Sequence, residues 1–466
     1  MTAHDVESQD ETGARVAASV VEAPDPMTAQ VTGSPRTLSA DVILMFANKG
    51  LLLVLSVATS VIFARALGLQ GRGELGVAIA FSAILLQLGT FGLITANPYF
   101  IARDAKNLPS IIANSLWFAV LLGALLAGIA VLVKAQFPWV VSGLGWPEVL
   151  VIAAGVPAAL ATVFFQSVLL GEGRTIAYNA VEVGHGILVT GITAVALIAL
   201  GAGVLAVLIV ISAFYVCAAL VYAALLLRHS PRFLRPDTAL ARRMVGYAFR
   251  IYVTTLIAFL VIRIDLLLVN SYLGKAQAGL YAVVASLAEG MFLLPVVIGI
   301  NLFPRLARGE GDELSASVFR IVAVLYGALC LLSVPLAAPG IHLLYGSQFD
   351  GAVDLYYWIV PGIFSLGMLT ILSHHFAGRG YPLQAMVIWI FGLILNIAIN
   401  VAFIPTEGTY IASLSSSITY GALLILHMRL FAKDVGGYRV LVPRIGEAVE
   451  FVRVIVRRPL AAQRGG

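Results

Sequence analysis

The stretch LVIRIDLLLVNSYLG, residues 260–274, would cross a bilayer as one apolar helix but for Arg263 and Asp265. An ionised side chain at the bilayer centre costs about 2.5 to 3.5 kcal/mol on insertion scales, so each such residue needs a partner or a wet cavity. Two positions apart on a helix, the pair projects to nearly opposite sides and does not simply pair with itself. Tyr252, Arg263 and Asn270 share one face, and Thr254 and Asp265 the other, with Arg250 nearby. The next apolar segment carries Glu289 near its middle, and the first carries Lys49. Cations here offer anion binding, and an arginine fork donates two hydrogen bonds at once to phosphate. Carboxylates here offer ion carriage. The structural alternative is that Arg263, Asp265 and Glu289 hold two helices together.

Other polar residues are weaker candidates. Glu182 and His185 lie three apart on one helical face, placed either to relay protons or to form an interfacial pair. Glu172 and Arg174 suit a turn-stabilising pair, and Asn396 and Asn400, four apart, suit interhelical hydrogen bonding. His374 and His375 are adjacent, which is poor metal-ligand geometry on a helix, so no metal is expected. Cys217 and Cys330 both fall inside apolar segments and read as small core residues. No nucleotide-binding P-loop signature is present, and no catalytic residues or cofactor are expected.

The elements that must position these residues follow from composition. The chain has 466 residues, of which 60% are hydrophobic and 11% charged, with a mean hydropathy of +0.97. Soluble domains carry about 25% charged residues, so this is an integral membrane protein. Apolar runs of bilayer-crossing length recur, and none has the dyad alternation of a β-barrel. The expected fold is an all-α polytopic membrane protein of twelve spans: 42–66, 74–97, 111–134, 148–170, 178–201, 203–227, 246–273, 278–302, 317–338, 353–377, 383–404 and 408–431. Residues 1–39 read as a disordered tail.

Basic residues near the span ends set the orientation. With the N-terminus inside, the cytoplasmic side carries Arg103, Lys106, Arg174, Arg228, Arg232, Arg235, Arg242, Arg243, Arg305, Arg308, Arg320, Arg379 and Arg429. The outer side carries only Arg65, Arg72, Lys134 and Lys275, so both termini are expected in the cytoplasm. The basic balance is then topological and implies no nucleic acid. In the tail, Ile445, Ala448, Val449, Val452, Ile455 and Val456 fall on one face of a basic amphipathic helix, 444–458. That helix suits anionic inner-leaflet lipid or a docking partner.

The basic run at 228–243 marks the middle of an internal repeat. Leu67, Gly68 and Gly73 match Leu273, Gly274 and Gly279 at an offset of 206, and Pro157 matches Pro361 at 204. The expected organisation is a tail at 1–39, a six-helix half at 40–227, a basic linker at 228–245, a second half at 246–431 and a cytoplasmic tail at 432–466. Halves with an even number of spans share orientation, and such folds place the substrate path between them.

The repeated motif also carries a resemblance. FARALGLQGRGELGVA (63–78), QLGTFGLITANPYF (87–100), LLGEGRTIAYN (169–179), RIDLLLVNSYLGKAQAGLYAVVASLAEG (263–290), LFPRLAR (302–308) and LNIAINVAFIP (395–405) resemble, in order and spacing, the flippases that export polysaccharide precursors. The likeness implies the superfamily that also holds the peptidoglycan lipid-precursor flippase and the multidrug and toxin extruders. The peptidoglycan flippase usually has fourteen spans. The drug extruders often carry an acidic residue in span one, where this chain has Asp41 only at the edge. In the family, helices equivalent to one, two, seven and eight line a central cleft. That places Lys49, Arg250, Arg263, Asp265 and Glu289 around one slightly cationic cavity suited to a pyrophosphate or an acidic sugar.

The expected function is movement of an undecaprenyl-linked oligosaccharide across the bacterial cytoplasmic membrane by alternating access, without covalent chemistry. The implied partners are the lipid-linked glycan, membrane lipid, a proton or sodium ion carried by Asp265, Glu289, Glu182 or His185, and a glycan polymerase or glycosyltransferases. The alternatives are a cation-coupled small-molecule extruder and a peptidoglycan lipid-precursor flippase. A membrane glycan ligase or polymerase fits poorly because the outer loops are short.

Overall fold

The computed structural model describes residues 35–227, 235–307, 312–378 and 382–450. Helices dominate, and no strand occurs among the described residues. Among the described residues, eleven helices are long and apolar enough to cross a bilayer. The first contains a break at Gly68 (φ 66°, ψ −172°), which divides it into α1 (35–67) and α2 (69–89) and brings the crossings to the twelve expected. They continue as α3 (Leu93–Arg103), α4 (Leu108–Gln136), α5 (Trp146–Gly171), α6 (Thr175–Ala194), α7 (Val204–Leu227), α8 (Thr238–Leu273), α9 (Lys275–Ala307), α10 (Asp312–Tyr345), α11 (Ala352–Gly378), α12 (Leu383–Glu407) and α13 (Tyr410–Asp434). The short α3 extends the second crossing beyond a turn at 90–92.

Helix ends depart from the expected boundaries for local reasons. Helix α1 begins at Pro35, inside the segment read as a disordered tail, and the remainder of that tail lies outside the described residues. Helix α8 begins at Thr238, inside the segment read as a linker, because Asp237 caps it by accepting from the Leu240 N–H (2.9 Å). Asn114 on α4 fixes that cap through both main-chain groups of Asp237 (2.9 and 3.0 Å). Residues 228–234 lie outside the described residues.

The repeat is visible in the backbone. Gly274 (φ 81°, ψ 178°) breaks α8 from α9 as Gly68 breaks α1 from α2, at the offset of 206 read from the sequence. Both angles lie where only glycine sits without strain. Pro157 and Pro361 lie inside α5 and α11, which are the most enclosed crossings of the two halves and equally so. One apolar core runs from Phe63 to Leu226 and takes in parts of α8; a second fills the space among α9 to α13, from Val283 to Leu441.

The halves meet most closely where α2 crosses α9. A Cβ on Gly73 would sit 1.9 Å from the Lys275 carbonyl oxygen, and one on Gly279 would sit 2.1 Å from the Leu69 carbonyl oxygen. Small residues let helix backbones touch in this way inside a membrane. The contact is reinforced at the same end by Lys275 Nζ–Glu74 Oε2 (2.5 Å) and by Arg65, which donates to the Leu343 and Leu344 carbonyls (2.5 and 2.7 Å). Asn270 and Ser271 donate to the Ser142 and Trp139 carbonyls (2.6 and 2.8 Å). The two halves are therefore closed together at this end.

Asp265 ties the second half. It is fully buried and accepts from Ser416 Oγ (2.5 Å), Asn400 Nδ2 (2.7 Å) and Tyr281 Oη (3.0 Å), joining α8 to α13, α12 and α9. Asn400 also donates to Asn396 Oδ1 within α12 (3.2 Å), and Asn396 donates to Ser415 Oγ on α13 (3.5 Å), so both asparagines take part in interhelical bonding. The expectation that Asp265 faces a cavity is corrected here. When Arg263 points to the centre, a residue two positions on points into its own helix bundle.

Past α13, residues 445–450 are helical and 451–458, the rest of the expected amphipathic helix, lie outside the described residues. Ala448 is buried, whereas Ile445 and Val449 are exposed. Arg320 on α10 grips Glu447 through both carboxylate oxygens (2.8 and 3.0 Å) and donates to the Val440 carbonyl (2.7 Å).

Two outcomes follow from these contacts. Gly73→Val or Gly279→Val forces the α2 and α9 backbones apart, and thermal unfolding of the purified chain in detergent should show a loss of several degrees. The bonds from Arg320 hold the Glu447 carboxyl below the usual carboxylate range. A group with a lowered folded-state value contributes at neutral pH and is lost as pH falls through that value. Protease cleavage of the tail should therefore rise in acid, and Glu447→Gln should cleave readily at every pH.

Candidate functional site

Beyond the glycine crossing, α2 and α9 diverge. Gly76 faces Ala282 one turn further on, and from there a cavity of 330 Å³ opens between the halves. Helix α1 supplies Ser56, Thr59 and Ser60; α2 supplies Arg72 and Ile79; α8 supplies Arg263 and Leu266; α9 supplies Ser286 and Glu289. These are the four helices expected to line a central cleft. Helix α6 adds a fifth wall with His185 and Thr190, brought close to α1 because Gly186 lets Leu52 approach.

Arg72 is the residue that sequence reasoning missed. Its place next to a Gly-rich turn made it look like an exposed outer-loop charge, yet only 4% of it is exposed. Its Nη2 donates to Ser286 Oγ (2.7 Å), the Ala282 carbonyl (3.1 Å) and Ser60 Oγ (3.2 Å). Those acceptors are neutral, and among the described residues no carboxylate pairs with Arg72. Its buried Nε has no hydrogen-bond partner among the described residues. The available signal was the repeat itself: Arg72 precedes Gly73, and Gly73 had to lie on the contact between the halves.

Arg263 reaches the cavity from α8 and pairs with Glu289 Oε1 at 2.6 Å, with Phe259 flanking the guanidinium at 5.7 Å. The pair is partly open, with side chains 28% and 48% exposed, and the buried Nε of Arg263 has no hydrogen-bond partner among the described residues. Arg72 and Arg263 against Glu289 leave one net positive charge with His185 neutral. A buried charge without a full complement of partners is costly, so this cavity favours an anion.

Most of the other expected site residues fall elsewhere. Arg250 is exposed and does not line the cavity. The reason is register: it sits nearly four turns before Arg263, close to the start of α8, where it caps no central space. Asp265 lies in the bundle described above. His185 lines the cavity, with Tyr215 and Phe214 beside its ring (5.4 and 6.2 Å between centroids), whereas Glu182, one turn earlier, is not among the lining residues. The side chain of Lys49 lies outside the described residues. Glu172 and Arg174 approach to 3.6 Å across their turn, and Arg174 donates to the Leu225 carbonyl (3.1 Å). No group of three or more His, Cys, Asp or Glu residues is placed to hold a metal among the described residues.

Comparison with solved structures finds the same fold in several membrane transporters. The chain superposes on the lipid II flippase MurJ in an inward closed conformation with a TM-score of 0.68, covering 91% of this chain and 93% of that one at 12% identity. It superposes on an inward-facing multidrug resistance MATE family transporter of the MOP superfamily with a TM-score of 0.65, covering 82% and 94% at 14% identity. A MOP superfamily transporter from Pyrococcus furiosus, described as having a binding pocket of reversed polarity, gives 0.53 over 88% and 96% at 15% identity. At these identities the likeness is one of fold. In sequence, an uncharacterized membrane protein of Methanocaldococcus jannaschii is 25% identical over 162 residues, and the match spans 34% of this chain and 38% of that protein. Residues 38–310, more than half of the chain and including every described residue of the inter-half cavity, match the family described as polysaccharide biosynthesis protein. This multi-pass membrane protein, with the fold of the MOP transporters and a cationic cavity between its halves, belongs to the polysaccharide biosynthesis protein family.

Proposed function

We propose that the chain is a flippase that carries a polyprenyl-pyrophosphate-linked oligosaccharide from the inner to the outer leaflet of a bacterial cytoplasmic membrane. The observation that carries this reading is the buried Arg72, which has neutral acceptors only and stands with Arg263 in the cavity between the halves. A pyrophosphate brings two negative charges and many acceptor oxygens to two guanidinium groups, which is the geometry that arginine recognises best. The excess of basic residues on one side puts both termini in the cytoplasm, so the end closed by Gly73, Gly279, Glu74 and Lys275 faces outward. The cavity then receives the headgroup from inside, while the lipid tail stays in the bilayer. Rocking of the halves about the glycine crossing delivers it.

The cavity volume of 330 Å³ is at the lower end of ligand pockets, which run from about 300 to 1,000 Å³. It suits a pyrophosphate with the first sugar, and Ser56, Thr59 and Thr190 line that space, with the Thr59 and Thr190 hydroxyls bonded to each other (2.7 Å). An extruder of organic cations would want the opposite sign of charge here. For ion coupling, Asp265 is the best placed of the candidates because several neutral polar groups surround its carboxylate and the Oδ1 of Asn400 has no hydrogen-bond partner among the described residues.

In cells lacking the gene, variants supplied on a plasmid should separate these roles. Arg72→Gln and Arg263→Gln should lower surface glycan about tenfold or more and accumulate lipid-linked glycan on the inner leaflet, because truncating one partner of a buried charged contact is worth at least about 2 kcal/mol. Arg72→Lys should restore only part of the export. Wild-type export by both glutamine variants, at equal protein levels, defeats the proposal. Asp265→Asn should lower export and its dependence on the ion gradient, and unchanged gradient dependence removes Asp265 from the coupling role.

A further inference from the structure

The cavity already holds an anion of its own. Glu289 is the carboxylate that pairs with Arg263, at 2.6 Å, and it is the more exposed member of the pair. Arg72 reaches from α2 to Ala282 and Ser286 on α9, the helix that carries Glu289, with no carboxylate at hydrogen-bond distance among the described residues, and His185 completes the titratable groups described around the cavity. The two arginines are therefore unequal. One is bonded to neutral oxygens only, and the other is paired with a carboxylate.

We infer that Glu289 is a resident stand-in for the substrate's anionic group: it neutralises Arg263 in the empty cavity and is displaced from it when the headgroup binds. The inference rests on the anionic-headgroup reading given above and adds an exchange to it.

Charge and geometry both require the exchange. Arg72, Arg263 and Glu289 sum to one positive charge. A doubly charged headgroup entering beside an unmoved Glu289 would bring the total to minus one, with two anions crowded on one guanidinium in a low-dielectric space. With Glu289 turned away, the two arginines and the headgroup balance. Glu289 can leave at small cost because nearly half of its side chain is exposed, whereas Arg263 is held by the apolar flank of α8 and by the ring of Phe259. An arginine left unpaired in the empty state would carry a desolvation cost on every return stroke. The resident carboxylate removes that cost and weakens substrate binding in proportion, so the headgroup is held loosely enough to be released.

Binding to the purified full chain in nanodiscs tests this, with inorganic pyrophosphate and glucuronate as separate probes of the two sources of negative charge. Glu289→Gln should bind one or both probes about tenfold more tightly than wild type, the size expected for removing a close competing charge. Which probe gains identifies the source. Glu289→Ala, confirmed folded by its size-exclusion profile, should shift in the same direction. In an Arg263→Gln background, Glu289→Gln should change affinity less than twofold, because the competition runs through Arg263. If neither probe binds the wild-type chain, or Arg72→Gln binds as well as wild type, the headgroup reading fails and this inference with it. If the arginine variants lose binding but Glu289→Gln binds equally or more weakly, the inference alone fails and Glu289 is a direct ligand or a structural partner.

Discussion

Two glycine backbones in contact set the distance between the halves. At the crossing of α2 and α9 there is no room for a single carbon atom on Gly73 or Gly279. Everything central follows from that approach. It brings Glu74 within reach of Lys275 and lets the Arg72 guanidinium bond across the interface to Ala282 and Ser286. The divergence of the same two helices then leaves the space that becomes the cavity. In a membrane, apolar side chains gain little by leaving lipid for one another, so close backbone packing and polar contacts carry the association that the hydrophobic effect would supply in water.

Charge is distributed around this crossing by the same logic. Polar groups inside a bilayer persist only where they are bonded or wet. Asp265 takes the first route, with three donors from three helices. Arg263 and Glu289 take the second, sharing an ion pair at the cavity wall. Arg72 lies between the two, with Nη2 bonded to neutral oxygens and a buried Nε that has no hydrogen-bond partner among the described residues. The outcome is a division between a buried polar tie inside one half and a partly open charged wall between the halves.

Much of the architecture was legible in the chain. Apolar runs fixed the crossings, since a helix is what satisfies the backbone in lipid without a partner. The offset between Gly68 and Gly274 revealed the repeat, and both glycines adopt the same left-handed break. The site was legible only in part. Arg263 and Glu289 stood out because a charge in an apolar run must be accounted for. Arg72 did not, because a charge beside a Gly-rich turn is ordinarily solvated. Asp265 was recognised as costly but assigned to the wrong surroundings, since helical periodicity separates two faces without saying what each face meets.

By itself, then, the sequence determined that this protein lies in a membrane, that it is a duplicated bundle, and that its intramembrane charges require partners. Those conclusions come from local rules of hydropathy, spacing and backbone geometry. Only the tertiary structure decided which partner each charge takes: Glu289 for Arg263, neutral oxygens for Arg72, and three neutral donors for Asp265. The reason is physical. A helix presents every face, and the rotation and depth at which it docks depend on packing between residues some 200 positions apart, which no local pattern contains.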